Sequence, residues 1–494
     1  MADQYDVIII GAGVVGSVVA RFLSRYQLDI LWIEKEADIG TGASGANTAI
    51  VHAGYDPLPG TLKAEMNVKA NPMWDQLAGD LNFPFERRGD FVVAIGEEER
   101  DSLQALWDRG VRNSVPGMQM LSGAEVRRRE PNVNPEVSGA LWASTGGICD
   151  PWAVVIAAAE NAVMNGVKLM LNTKFEDFVM DGDRIVGVKT NRGTFGCRWA
   201  INSAGMYSDE VMHRAGVRPE FKITARKGEY FILDKADILI SQVMFPVPSP
   251  VSKGVLVTAT MHGNAVLGPT AQEQEDKEDR SVTRAGLEEV WNGAMKLVPQ
   301  LSQRQIIATF AGLRPGGNAP CETPGIDYGK DYIIEIPDKV RGFVNLGGIE
   351  SPGLTSSPAI AMRIIDMLRD AGEKLEDKPD WDPIRPARPR FRDLPPAEQK
   401  ILIQNDPSYG RIVCRCEYVT EGEIVAEIHA PIPARTYDAI KRRTWLGTGR
   451  CQGGFDTPRV VEILARELGV SPLEVTKKGS GSKLLARRTK DARG

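Results

Sequence analysis

Three observations predict an α/β fold with a small helical unit near its C-terminal end. A short apolar run, Val7-Ile8-Ile9-Ile10, stops at the glycine turn Gly11-Ala12-Gly13-Val14-Val15-Gly16, which opens a helical pattern through Arg21-Phe22-Leu23. A second apolar run, Ile30-Leu31-Trp32-Ile33, ends on Glu34. Much later, Cys414-Arg415-Cys416 and Cys451 enclose two further helical patterns, the first opened by the capping box Thr420-Glu421-Gly422-Glu423. Short apolar runs bounded by glycine read as buried parallel strands, and strand, turn, helix and strand in that order make a βαβ unit.

The glycine turn carries chemistry as well as shape. Its glycines permit a tight turn, close approach of backbone to a pyrophosphate and tight helix–strand packing, while the helix start offers N–H groups to phosphate. Glu34 falls eighteen residues after Gly16, where a carboxylate can hydrogen-bond the ribose hydroxyls of an adenine dinucleotide. Gly11, Gly13, Gly16 and Glu34 are therefore candidate cofactor residues. An ordinary strand–helix turn is the alternative, and the ordered set of features argues against it.

From Lys35 to Tyr55 a small polar loop containing Ser44 and Asn47 leads to Ala49-Ile50-Val51-His52. This stretch resembles the FAD-dependent oxidoreductases of the D-amino-acid-oxidase superfamily, and within it the glycerol-3-phosphate dehydrogenase and L-2-hydroxyglutarate oxidase group. The resemblance implies a Rossmann-like FAD-binding domain with an interleaved α+β substrate domain. It also implies that the loop bearing Lys35, Ser44 and Asn47 lies along FAD and that His52 faces the isoalloxazine. Many relatives have glycine where this chain has Ala49.

Composition agrees with an enzyme of more than one domain. The 494 residues are 42% hydrophobic, enough for substantial cores, and the net charge of −5 carries no nucleic-acid signature. Asp3 and Asp6 precede the first strand, so no signal peptide is expected, and no apolar run reaches the length of a membrane span. Six scattered cysteines suit a reducing, cytoplasmic setting.

Further along, apolar segments flank Asp181-Gly182-Asp183 as a hairpin. Ala200-Ile201-Asn202-Ser203-Ala204-Gly205 is a strand ending in small residues; it is either a plain strand-end turn or, by resemblance, the second FAD contact through Ala204 and Gly205. Gly347-Gly348-Ile349-Glu350-Ser351-Pro352-Gly353-Leu354 precedes a helix expected to begin near Ser357-Pro358. By resemblance this is the C-terminal flavin loop, with Gly347, Gly348, Gly353 and Leu354 at the cofactor. A positive helix end there stabilises anionic reduced flavin.

Residues 83–141 and 220–314 are expected to supply a substrate-covering sheet and its helices. Phe310-Ala311-Gly312-Leu313-Arg314-Pro315-Gly316-Gly317 reads as an apolar strand running into a glycine-rich loop that carries Arg314. Arg314 matches the superfamily's substrate-anion anchor, and its planar fork suits phosphate or carboxylate. Lys253, before the 255–260 strand, is a further candidate, although an exposed loop lysine reads the same way. Of the four histidines, His52 is the candidate base, because a neutral imidazole at the flavin can take a hydroxyl proton while hydride leaves carbon. His262 is an alternative in a hairpin turn; His213 and His429 sit in polar helical patterns.

Six prolines between Lys378 and Pro396 mark residues 372–410 as an extended connector after an oxidoreductase body at 1–371. Trp381, Ile384, Phe391 and Leu394 give it apolar anchors. Residues 411–470 resemble the bacterioferritin-associated-ferredoxin-like [2Fe–2S] domain, in which Cys-x-Cys and Cys-x4-Cys hold the cluster. Here the set is Cys414, Cys416, Cys451 and Asp456. Either an aspartate ligates one iron, or Asp456 is only the N-cap of the following helix and the module holds no cluster. The tail at 471–494 is basic, either solvated or docked on an acidic partner or anionic membrane.

The resemblance implies an FAD enzyme oxidising a small anionic secondary alcohol, foremost glycerol 3-phosphate. Electrons are expected to leave through the [2Fe–2S] centre to a partner flavoprotein or quinone-linked acceptor. A cytoplasmic oligomer or multi-subunit complex is the expected setting, with peripheral contact at the inner face of the membrane as the alternative. L-2-hydroxyglutarate or another 2-hydroxy acid is the competing substrate, and a non-catalytic electron-transfer or docking subunit the competing class.

Overall fold

The computed structural model describes residues 3–235, 240–248, 254–319 and 330–490. Lys253 and Cys321 lie outside the described residues. The first βαβ unit stands where the sequence puts it: Gln4–Ile10, Val14–Leu23 and Ile30–Ile33. Gln4–Ile10 lies between Ile30–Ile33 and Gly193–Asn202, and Lys168–Met170 and Phe343–Gly347 extend the parallel run on its two sides. Central parallel strands are covered on both faces and so are apolar throughout; Val7, Ile8 and Ile9 are fully buried. The Val14–Leu23, Pro151–Met164 and Gly353–Asp370 helices pack on one face. Phe178, Ile185 and Val188 of the 175–190 hairpin, with Val211 and Met212 of the Ser208–Arg214 helix, fill the other.

A second, mostly antiparallel sheet uses strands from Asp90–Ile95 to Ile306–Gly317, which overrun the two spans expected for the substrate layer by two or three residues at Ala143 and Gly317. One detail differs. Arg314 is not in a loop but inside the Ile306–Gly317 strand, paired along its length with Ile223–Leu233. Pro315 is tolerated because this strand pairs on one side only.

The C-terminal flavin-loop helix also differs from expectation, since it starts at Gly353 and carries Pro358 inside it. Proline removes the N–H that would serve the Leu354 carbonyl. The Ser357 hydroxyl donates to that carbonyl instead, at 2.9 Å, and the helix runs on.

The C-terminal module packs Glu421–Ile428, Tyr437–Thr444 and Thr457–Leu468 around Ile424, Ile440, Val460 and Leu464. Thr420 and Glu423 form the capping box read from the sequence. The module is clamped to the body by buried ion pairs. Asp38, just after the first βαβ unit, takes Arg443 at 2.9 Å. Glu160, fully buried, takes Arg385 and Arg388 of the connector at 2.7 Å each, and Arg388 reaches on to Glu427 of the module at 2.6 Å.

The tail is less free than a solvated segment: Thr476 bridges Lys483, Tyr437 N donates to Thr476 O, and Gly479 lies against Ala37. Its basic side chains stay exposed. Among the described residues no helix is long and apolar enough to cross a membrane.

Candidate active site

A cavity of about 510 Å³ reaches from the glycine turn to Arg314. Every described candidate for cofactor or substrate lines it except Gly16 and Gly348. Those two serve packing. A Cβ at Gly16 would lie 2.1 Å from the Gly11 carbonyl oxygen, and Gly348 turns at φ +64 against the Asp331 carbonyl.

The cradle fits a dinucleotide. Gly11 sits at φ +100, and a Cβ there would come within 2.7 Å of the Ser203 carbonyl oxygen. A Cβ at Gly13 would crowd the Ser44 hydroxyl at 3.1 Å, and that hydroxyl accepts from Val14 N at 2.9 Å. The Glu34 carboxylate accepts from Ala12 N at 2.7 Å and Glu36 N at 2.9 Å, and burial raises its pKa. Each oxygen keeps acceptor capacity for a ribose hydroxyl.

His52 follows the Ile50–Val51 strand and is pinned through its backbone. Its N–H donates to Thr355 Oγ1 at 3.0 Å, and its carbonyl accepts from Asn67 and Asn71 at 3.1 and 3.0 Å. The ring stands 5.9 Å from the Phe245 ring, with Nε2 3.4 Å from Ser351 Oγ. His262 is placed differently. It is buried away from the cavity, its Nε2 3.0 Å from Asp150 Oδ2 and its Nδ1 3.0 Å from Arg390. Because arginine only donates, Nδ1 accepts and Nε2 carries the proton. Burial lowers its pKa despite Asp150, so this imidazole is neutral and structural. His213 faces the Phe221 carbonyl and His429 pairs with Glu467.

At the far end, Arg314 is half-buried, with Nη2 donating to the Thr270 carbonyl at 2.6 Å and Nε to the Arg226 carbonyl at 3.4 Å. Burial lowers its pKa. Sequence reasoning missed its neighbours. Arg226 is its cross-strand partner, and Glu350 lies 3.6 Å from Arg226 and 3.0 Å from Lys63. Burial would raise the Glu350 carboxyl, but Lys63, Arg226 and Arg314 outweigh it and hold it below the ordinary range. Lys63, Arg226 and Arg314 thus share Glu350, Arg226 also reaches the half-exposed Glu273 at 3.3 Å, and three cations against two carboxylates leave the cavity end net positive. Alternation on a strand beside Arg314 was the only available signal for Arg226.

The module's four candidate ligands come together as two pairs. The Cys414 thiol lies against the Asp456 carboxylate, burial first and then that carboxylate pushing it up to about 12. Cys416 is in hydrogen-bond contact with Cys451. Among the described residues no three His, Cys, Asp or Glu side chains converge on one ion, and a binuclear cluster asks for two protein ligands on each iron. Asp456 fits that use better than capping. Its side chain makes no cap hydrogen bond, although it stands at the N-cap. It is 1% exposed, with Oδ1 accepting from Tyr437 at 2.7 Å and Oδ2 buried without a hydrogen-bond donor.

Comparison with known proteins agrees with both halves. The family model described as FAD dependent oxidoreductase matches residues 6–367, and that described as BFD-like [2Fe-2S] binding domain matches residues 412–466. Glycerol 3-phosphate dehydrogenase of Caloramator mitchellensis is 44% identical over 490 residues, 99% of each chain. The solved structure of dithionite-reduced L-alpha-glycerophosphate oxidase from Mycoplasma pneumoniae, with FAD bound, superposes with TM-score 0.72 at 32% identity, covering 78% of this chain and 99% of that one. The mitochondrial L-2-hydroxyglutarate dehydrogenase of Arabidopsis thaliana is 28% identical, over 73% of this chain and 83% of its own.

Proposed function

The chain belongs to the FAD dependent oxidoreductase family and carries a C-terminal BFD-like [2Fe-2S] binding domain, and from that we propose that it oxidises sn-glycerol 3-phosphate to dihydroxyacetone phosphate. The observation that carries the substrate is the charge at the cavity end, where Lys63, Arg226 and Arg314 surround the carboxylate of Glu350 and outnumber the acids there. A phosphate monoester gathers roughly two negative charges on one small group at pH 7. Hydroxyglutarate spreads its two along a chain, which matches one compact cationic pocket less well.

In this reading Arg314 grips the phosphate in a charge-assisted fork and Arg226 and Lys63 complete its neutralisation. His52 accepts the proton of the C2 hydroxyl, its backbone clamped so that the imidazole holds station. Bound FAD, held along Gly11, Gly13, Glu34, Ser44 and Asn47, supplies the acceptor for the hydride on C2. Cys414, Cys416, Cys451 and Asp456 hold the cluster, which supplies one-electron chemistry. The body is residues 1–371, the connector 372–410, the cluster module 411–470 and the basic tail 471–494. The final acceptor is a partner flavoprotein or a quinone-linked system, reached in a multi-subunit assembly at the inner face of a membrane.

The test is anaerobic bleaching of the flavin by glycerol 3-phosphate, L-2-hydroxyglutarate and other 2-hydroxy acids in parallel. Glycerol 3-phosphate should reduce it at the lowest concentration. Preferential bleaching by a hydroxy acid transfers the assignment to that substrate, and no bleaching by any of them points to an electron-transfer subunit.

A further inference from the structure

The indoles of Trp152 and Trp445 stack across the seam between body and module, ring centroids 4.7 Å apart and planes at 35°. Trp152 is the second residue of the Pro151–Met164 helix and its Nε1 donates to the Gly45 carbonyl at 2.9 Å. Gly45 sits between Ser44 and Ala46, which both line the cavity. Trp445 follows the Tyr437–Thr444 helix at φ +65. Its carbonyl accepts from Thr448 N at 3.2 Å and Thr448 Oγ1 at 2.7 Å, which closes a tight loop under the module's thiols. From that loop Gly447 N donates to Cys414, and a Cβ at Gly449 would lie 2.5 Å from the Cys416 Cβ. One ring is thus a single contact from the cavity wall and the other adjoins the cysteine loop.

One carboxylate ties the Trp445 ring to the backbone of Trp152. Asp150 Oδ2 takes Trp445 Nε1 at 2.7 Å and His262 Nε2 at 3.0 Å, and its Oδ1 takes Trp152 N at 3.0 Å. The His262 ring packs 3.7 Å from that of Trp445. Trp445 takes the left-handed region as the C-cap of its helix, its N–H donating to the Lys441 carbonyl at 2.9 Å, and from that turn its indole reaches Asp150.

We propose that the Trp152–Trp445 stack is the crossing point for electrons between the flavin pocket and the [2Fe–2S] module, a proposal that rests on the cofactor reading above. Electron transfer through protein falls steeply wherever a chain of contacts is broken by a gap, and a filled aromatic contact closes the one gap a domain seam creates. Two electrons enter with each substrate oxidised and leave singly. Each crossing reduces one ferric iron to ferrous and oxidises the flavin by one electron. The cluster passes each electron to the quinone-linked or flavoprotein acceptor before the next one crosses. The proton that came with the hydride is released to water when the second electron leaves the flavin. No bond is made or broken in either indole.

The test follows two bleaching steps in the anaerobic full-length holoprotein, flavin and cluster at separate wavelengths, with electron paramagnetic resonance of the reduced cluster. Neither indole lines the cavity, so flavin reduction by glycerol 3-phosphate should stay within about twofold in Trp445→Leu. Cluster reduction should slow about tenfold or more, as a packed ring is replaced by a void, with the cluster's signal unchanged. Trp445→Phe should recover most of the rate. Trp152→Leu should slow the step likewise, and the double variant should be no slower than the slower single one, because the rings act as a pair.

Transfer at the wild-type rate in both leucine variants, with iron retained, overturns the proposal and leaves the cofactor reading standing. Wild-type protein that holds no iron after anaerobic reconstitution overturns both. Should Trp445→Leu fail to assemble its cluster, Trp445→Phe and Trp152→Leu decide the matter.

Discussion

Arg226 and Arg314 are direct cross-strand partners, two guanidinium side chains in one register position of an antiparallel pair. Like charges so placed repel. Glu350, which is shared with Lys63, and Glu273, which pairs with Arg226 at the exposed side, offset part of that repulsion. The sheet therefore stores a demand for an anion at the end of the cavity. Arg314→Ala should lower kcat/KM for glycerol 3-phosphate by roughly 2–3 kcal/mol, chiefly through KM, the worth of a charge-assisted hydrogen-bonding group. Arg314→Lys should fall between, since it keeps charge and loses the fork. Steady-state kinetics check this, and an unchanged KM in Arg314→Ala removes the residue from anion binding.

Ala49 stands at φ +61, a left-handed position that favours glycine. Its N–H is tied to Asn47 Oδ1 at 2.7 Å and its carbonyl accepts from Cys149 N at 2.9 Å, so the strain cannot relax. Ala49→Gly should stabilise the protein by up to about 1 kcal/mol, the left-handed penalty less the entropy glycine regains on unfolding. Thermal unfolding would show a raised midpoint; a lowered one contradicts the account.

Asp38 governs how the module holds to the body below neutral pH. Burial alone would raise its carboxyl, but Arg443 and Arg442 hold it at about 2. Because the folded value lies below the unfolded one, the stabilisation is complete above about pH 4 and fades as pH falls toward 2, in total about 2 kcal/mol. Asp38→Asn, which strands the buried Arg443, should cost about 3 kcal/mol at pH 7. Its deficit against wild type should shrink through that acid window. Denaturant titrations at pH 7 and pH 3 would reveal a parallel pair of curves if Asp38 does nothing.

What the sequence made legible was local. The glycine turn, its following acid, the 181–183 hairpin and the Thr420 capping box each depend on residues a few positions apart, and each stands where expected. What escaped it depends on partners far along the chain. Arg314 reads as loop because glycine and proline surround it, yet eleven-residue pairing with Ile223–Leu233 keeps it in a strand. Pro358 reads as a helix start because proline ends helices, yet a serine hydroxyl serves the orphaned carbonyl. The Asp150, His262, Arg390 and Trp445 junction joins four parts of the sequence and leaves no pattern in any one of them.

His52 is the one histidine at the cavity, locked from behind by Thr355, Asn67 and Asn71. His52→Gln should keep FAD, because its backbone contacts do not need the imidazole. It should slow anaerobic flavin reduction roughly a hundredfold or more, the scale of a lost general base. Ser351→Ala should cost far less, since at 3.4 Å the hydroxyl only orients the ring. Stopped-flow reduction at the wild-type rate in His52→Gln assigns the proton to another acceptor.

Asp456 separates a cluster ligand from a helix cap by what each substitution spares. A cap aspartate exchanged for asparagine keeps its acceptor oxygen and most of its stability. A ligand so exchanged loses the negative charge that iron requires. The carboxylate makes no cap bond, leaves Oδ2 without a donor and faces Cys414, so the ligand role predicts the outcome. Anaerobically prepared wild type should carry about two irons and two labile sulfides per chain. Asp456→Asn should lower that content, Cys414→Ala should abolish it, and Asp456→Cys should keep it while shifting the reduction potential. Tyr437→Phe removes the hydrogen bond to Oδ1 without touching a ligand. It should therefore keep the iron and shift the potential in the wild-type background, but leave it unmoved when position 456 is cysteine. Full iron content in Asp456→Asn, with the potential unchanged, would return Asp456 to a structural role and leave three thiolates to hold the cluster.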